Sequence, residues 1–190
     1  LTDAPMNRVL LSALPTLVLT AALSACGDTG STAAPTSESP EAVQTTTERS
    51  SAPAGPPPMP QPAADGDCPY LDSDYVAQAN GQLVRKVRLS ADQPTPACFF
   101  YANATEVQLS VWVFQGEEAT AKAVVDRAAP VADSSPASVP AGWQGGSLVG
   151  EQGAVYAVAK GGAAVVVTSN QRQTIKAREV ASTAIEELGL

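Results

Sequence analysis

A chain of 190 residues with 11 basic and 19 acidic side chains carries a formal charge of −8, and this balance argues against a nucleic-acid partner, which needs a basic footprint for its phosphates. It has no histidine at all. That absence removes the commonest general base, the Ser-His-Asp and Cys-His arrangements, and every zinc site built on imidazole.

In chain order, Arg8 is followed by a nearly all-apolar run of about 14 residues that contains Pro15 and ends in Leu23-Ser24-Ala25-Cys26. Such a run is too short to be kept as a spanning helix, and it has no polar face with which to pack as a core helix. The basic start, the apolar stretch and the small residues before a cysteine resemble the cleaved signal of bacterial lipoproteins. The resemblance implies that Cys26 takes a diacylglyceryl group and becomes the first mature residue. The membrane, reached through that lipid, is then the first expected partner, and the location is extracytoplasmic. Met6 is the expected translation start, with residues 1–5 an extension, and residues 1–25 are set aside from the fold.

Residues 26–67 read as a tether. From Gly27 to Asp67 the chain has eight of its sixteen prolines and no aromatic residue, so it lacks the means to bury a core. Clusters such as Thr45-Thr46-Thr47 give way to Gly55-Pro56-Pro57-Pro58-Met59-Pro60-Gln61-Pro62, a flexible stretch stiffened at its end by polyproline II geometry. A coil of this length spans on the order of 35 Å. Arg49 stands against Asp28, Glu38, Glu41, Glu48, Asp65 and Asp67, an acidity that serves solubility.

Residues 68–190 are enough for one domain with one core. With Cys26 assigned to lipid, Cys68 and Cys98 form an even pair outside the reducing cytosol and are expected to make a disulfide. A redox or metal pair is the alternative, disfavoured by the absence of Cys-x-x-Cys spacing. Asp72 opens and Asn80-Gly81 closes a short helix. Leu83–Leu89, Ala97–Tyr101 and Glu106–Phe114 follow as a three-stranded meander. In the third run Val107, Leu109, Val111 and Val113 alternate with Glu106, Gln108 and Ser110, one buried face against one polar face, until Trp112 and Phe114 break the polar face and predict a cover there. Glu117–Ala129 is an amphipathic helix with Ala121, Val124, Val125 and Ala128 inward and an expected Glu118–Lys122 pair. Residues 133–153, rich in Pro, Ser and Gly, read as a long loop carrying Trp143. Val155–Ala159 and Ala163–Ser169 make a hairpin whose second strand, apolar on both faces at Val165-Val166-Val167, belongs in the middle of a sheet. Thr174–Leu188 keeps a helical period that should lie on that sheet. The expected fold is therefore α+β, an antiparallel sheet of about five strands packed by helices in the order α-β-β-β-α-β-β-α.

Cys68-Pro69-Tyr70-Leu71-Asp72 and Pro96-Ala97-Cys98-Phe99-Phe100-Tyr101 resemble the domain of unknown function found in actinobacterial lipoproteins, particularly mycobacterial and corynebacterial ones. The resemblance covers most of residues 68–190 and implies a cell-envelope lipoprotein with a cysteine pair at these two positions. It carries over no catalytic residue. The element order is also similar to small Mog1/PsbP-like sandwiches.

The residues that bear chemistry are few. Asp72 with Asp74 and Glu117 with Glu118 are acidic pairs, each in the first turn of a helix, where carboxylates favour the helix dipole. Gly145-Gly146-Ser147 lacks the lysine of a phosphate-binding loop, and Asn103-Ala104-Thr105 marks a turn. Two features suit binding. Arg85, Lys86 and Arg88 concentrate charge on one strand, where they could meet an anionic headgroup or wall polymer or protect a solvated edge strand. Trp143 could stack on a sugar, enter a partner's groove, or close on the core. These readings point to a tethered, non-enzymatic binding or interaction module without a cofactor, whose partner is an envelope lipid, glycan or protein. A lipid or glycolipid carrier is one form of it, and a carboxylate-based hydrolase of envelope polymers is the alternative.

Overall fold

The structure is a computed structural model that describes residues 55–190. The signal run, Cys26 and the tether as far as residue 54 lie outside the described residues. Among those described, eight strands form one antiparallel sheet with three helices, β1 (Ala64–Asp65), α1 (Ser73–Asn80), β2 (Lys86–Leu89), β3 (Cys98–Tyr101), β4 (Val107–Gln115), α2 (Glu118–Ala128), β5 (Ser135–Val139), β6 (Trp143–Gly150), β7 (Gly153–Lys160), β8 (Ala163–Ser169) and α3 (Thr174–Glu187). The spatial order is β1-β2-β3-β4-β8-β7-β6-β5. No helix among the described residues is long and apolar enough to cross a membrane.

The α+β class holds, but the sheet has eight strands rather than about five. Two of the extra strands, β5 and β6, occupy the stretch read as a long loop. Glycine there reflects close approach of neighbouring backbone and not a loop. A Cβ on Gly145 would come within 2.0 Å of the Ala157 carbonyl oxygen on β7, and one on Gly146 within 2.6 Å of Ser134 Oγ and 3.0 Å of Ala129 Cβ. The β5–β6 hairpin turns through Ala141 and Gly142, both with left-handed backbone at φ 67° and 89°, which glycine accepts readily and alanine does not. The third extra strand, β1, lies inside the stretch read as tether and pairs with β2 through Ala64–Leu89 and Asp65–Arg88. Residues ahead of position 68, the expected start of the domain, thus take part in the sheet.

The helices follow their sequence signals. Asp72 caps α1 with its carboxylate, accepting from the backbone N–H of Asp74 and Tyr75, and Gly81 closes it at φ 76°. Ala121, Val124 and Val125 of α2 and Ala177, Val180, Ala181, Ala184 and Ile185 of α3 point into the core. Lys122 pairs with Asp126 at 2.6 Å rather than with Glu118.

Helices α1 and α3 cover one face of the sheet and α2 the other. Val111 and Val113 of β4, Val165 and Val167 of β8, and Tyr156 and Val158 of β7 join the first core with Phe100, Trp143 and the α3 residues. Trp112, Ala157, Ala164 and Val166 join the second with Ala121, Val124, Val125 and Ala129. Strand β8, apolar on both sides, sits between β4 and β7, because a strand with two apolar faces is stabilised only where both are covered. Cys68 and Cys98 are bonded, with Cα atoms 5.6 Å apart, and tie the start of the domain to β3.

Candidate functional site

An open groove of about 1090 Å³ lies on the α2 side of the sheet. Its wall is the flank of α2 that presents Glu118, Ala119, Lys122, Val125, Asp126 and Ala129, and its floor is formed by Gln144, Gly145, Gly146, Ala159 and Lys160 of β6 and β7, with Pro136 of β5 at the rim. The groove exists because one helix does not span the sheet: α2 rests on β8 and β7, and β6 and β5 extend past it. Glycines at 145 and 146 keep the floor flat. Val131, 81 % exposed, projects at its border. The lining is mixed, with apolar small side chains between two lysines and two carboxylates. Glu118 and Asp126 stand eight residues apart on one helix, about 12 Å along its axis, and Asp126 is held by Lys122. Among the described residues no three Asp, Glu, Cys or His side chains gather as a metal cluster would require.

The structure disperses the residues singled out for binding. Trp143 is not on a loop: it is the first residue of β6, 1 % exposed, packed in the α1/α3 core. Its indole N–H has no hydrogen-bond partner, and Lys160 Nζ lies 5.8 Å from its ring centre. It is a core residue, and neither stacking on a sugar nor entering a partner is open to it. Lys86 lies over the Tyr101 ring at 4.6 Å and donates to the Ala104 carbonyl at 3.1 Å. Arg88 donates through Nη2 to the Ala63 carbonyl, and its Nε sits 3.1 Å from the Asp65 carboxylate as an ion pair without an aligned hydrogen bond. Arg85 is exposed. Of the three cations, two are thus engaged within the chain, and β2 is not an edge strand because β1 covers it. None of these four residues borders the groove. Asn103 accepts from the Thr105 and Glu106 backbone N–H groups, the turn its sequence suggests.

A buried polar cluster went unread in the sequence. Gln108, expected on the polar face of β4, is fully buried, because the register between β3 and β4 shifts beside it. Its side chain accepts from Asn80 Nδ2 at 3.0 Å and donates to the Leu83 carbonyl at 2.9 Å, and Ser169 Oγ donates to Asn80 Oδ1 at 2.6 Å. Lys176 Nζ donates to the Asn80 carbonyl. The cluster ties the end of α1 to β4, β8 and the start of α3. Its polar groups satisfy one another, which makes it a structural lock. Tyr70 is a second such tie: its hydroxyl donates towards the Pro96 and Val111 carbonyls, and burial drives its pKa well above the ordinary tyrosine value.

Residues 51–190 match the family model described as a domain of unknown function, DUF2020. The chain belongs to the DUF2020 family. No curated protein matches it. The DUF2020 match begins within the stretch read as tether and takes in the proline-rich segment and β1.

Proposed function

We propose that this DUF2020 protein is a cell-envelope lipoprotein, anchored outside the cytoplasm by lipid on Cys26, whose domain acts as a binding module through the groove beside α2. The observation that carries the reading is the groove itself. Its volume of about 1090 Å³ is at the upper end of ligand-binding clefts. It is open rather than enclosed, and its rim alternates charge with apolar surface, as suits an extended segment of a protein partner. The sheet edges offer no rival site for such a partner. The β5 edge contains Pro136, which has no N–H to give, and the Ser138 carbonyl already accepts from Tyr156; β1 is two residues long. Edges blunted in this way resist strand addition.

A carrier of lipid or glycolipid is the second reading, favoured by the same volume. The three-layer arrangement also fits the Mog1/PsbP-like sandwich suggested by element order, an analogy of fold alone. The hydrolase alternative draws little support, since Glu118 and Asp126 are too far along α2 to flank one bond.

The test is native mass spectrometry of the full chain purified gently from its own envelope, alongside the same chain refolded from denaturant and an Ala119→Trp variant that obstructs the groove from an exposed position. A bound lipid or glycan mass present in the native sample and absent from the other two establishes the carrier. No non-covalently bound mass in any of the three, with a protein captured in the envelope by a photoactivatable amino acid substituted at Ala119, establishes the adaptor. A bound mass that survives Ala119→Trp removes the groove from the reading. Cys26→Ser should release the protein from the membrane fraction.

A further inference from the structure

The segment Pro56–Pro62 has prolines at 56, 57, 58, 60 and 62, and this composition leaves the backbone little choice. Each proline holds φ near −65°, and each residue that precedes a proline is driven to extended geometry. The result is a polyproline II strand, three residues per turn, with three edges. Burial follows that period. Pro57 and Pro60, on one edge, and Pro56 and Pro62, on the next, are half-buried, with Met59 between the latter two exposed, while Pro58 and Gln61, on the third, are exposed. The strand therefore lies on the domain on two of its three edges and turns the third outward, as a polyproline ligand lies in its receptor.

The surface beneath it has the parts such recognition needs. Pro60, Gln61 and Pro62 border a cleft of about 410 Å³ whose other sides include Phe99 of β3, Val107 of β4 and Thr168 of β8 among polar side chains such as Ser110 and Gln152. Trp112 and Phe114 continue the aromatic surface, edge to face at 6.5 Å. A polyproline strand has no N–H groups at its prolines, so its carbonyls are the polar handles left to a receptor. Arg127 of α2 supplies the donor: Nη1 reaches the Pro56 carbonyl at 3.2 Å while the guanidinium lies 5.6 Å over the Trp112 ring. Aromatic platforms with a fixed donor are the physical basis of polyproline recognition.

We propose that the β3–β4 half of the α2-side face is a polyproline-recognition surface, occupied in the resting chain by residues 56–62, and that its partner is a proline-rich segment of another protein with the Pro-x-x-Pro spacing of Pro57 and Pro60. The resident segment shows which chemistry the surface fits. Between Pro56 and the first backbone ladder bond, from Ala63 N–H to the Leu89 carbonyl, Arg127 makes the one hydrogen bond from the domain to this strand among the described residues. The strand can therefore leave without breaking the sheet. As an intramolecular ligand it acts at an effective concentration of the order of millimolar, so a free segment binds weakly until the resident one is displaced.

The experiment uses the full chain and a fluorescein-labelled peptide copying residues 55–65, read by anisotropy. Pro57→Ser with Pro60→Ser empties the surface, and this variant should bind the peptide at least tenfold tighter than wild type does. Adding Phe99→Ala or Arg127→Ala should reverse the gain tenfold or more, while Pro58→Ser alone, exposed and away from the cleft, should produce no gain. If the first variant does not fold by circular dichroism, millimolar peptide added to isotope-labelled wild type must shift the Val107, Phe99 and Trp112 resonances. Binding indifferent to Phe99 and Arg127, or no shift in the wild type, overturns the proposal. So does a chain that dimerises on concentration yet ignores the peptide, an outcome that assigns the surface to exchange between copies.

Discussion

The two faces of this sheet are covered by different means. On one, α1 and α3 lie side by side over a core that includes Trp143, Phe100, the disulfide and the Tyr70 hydroxyl, with the Asn80–Gln108–Ser169 cluster locking its end. On the other, a single helix covers the middle, the proline strand covers β3 and β4, and the surface beyond α2 stays open as the groove. Stability is therefore expected to concentrate on the first face and adaptable surface on the second. A sheet of eight strands is wide enough for two helices, and a single helix over its middle leaves a concavity on either flank.

This contrast can be broken by measurement. The largest effect should come from Trp143→Ala, which empties the side of the α1/α3 core and is expected to cost about 3–5 kcal/mol in urea unfolding; a loss below about 1 kcal/mol would mean that this face is not the stable one. Opening the Cys68–Cys98 bond, as the double Ala variant, releases a loop with a sequence separation of 30 and should cost about 3–4 kcal/mol on the chain-entropy account. Asn80→Ala leaves Gln108 and Ser169 without their partner, and a loss of about 1–3 kcal/mol is expected, with faster amide exchange at the α1–α3 end.

Tyr70→Phe sharpens the comparison through pH. Burial raises the Tyr70 pKa above the ordinary value of 10.0, so the unfolded chain loses its proton first. The contribution of this hydroxyl is complete below about pH 10 and is lost as pH rises further. Tyr70→Phe should cost about 1 kcal/mol near neutrality and flatten the alkaline fall in stability. Tyr75, partly exposed, and Tyr156, buried in the first core, shift in the same direction through burial. The smallest effect belongs to the open face: Lys122→Ala, on the groove wall, should change stability by less than about 0.5 kcal/mol, and a loss of 2 kcal/mol or more would show that the groove side is structural rather than available.

Reading the chain succeeded where the signal was local. The period of Ala177, Val180, Ala181, Ala184 and Ile185 named α3 and its buried side, Asp72 and Gly81 bracketed α1, and the triple valine of β8 announced a central strand. It failed where one residue type serves two purposes. Gly145 and Gly146 signal a loop or a strand that another backbone approaches closely, and without the partner the two look alike. Trp143 was misplaced with them. Gln108 was placed outward by strict alternation, which a shift in register between β3 and β4 overrides. The groove was not legible at all, because its wall comes from α2 and its floor from β6 and β7, which begin 15 or more residues after α2 ends.

The sequence by itself determined the helices, the meander, the paired cysteines and the absence of imidazole chemistry, since each depends on residues near one another or on composition. The tertiary structure decided the rest: that 135–150 are strands, that Trp143 is core, that the proline segment lies on the sheet, and that one face stays partly open. Those outcomes depend on which distant backbones meet, and close approach, register and coverage are properties of pairs of segments that no single segment encodes.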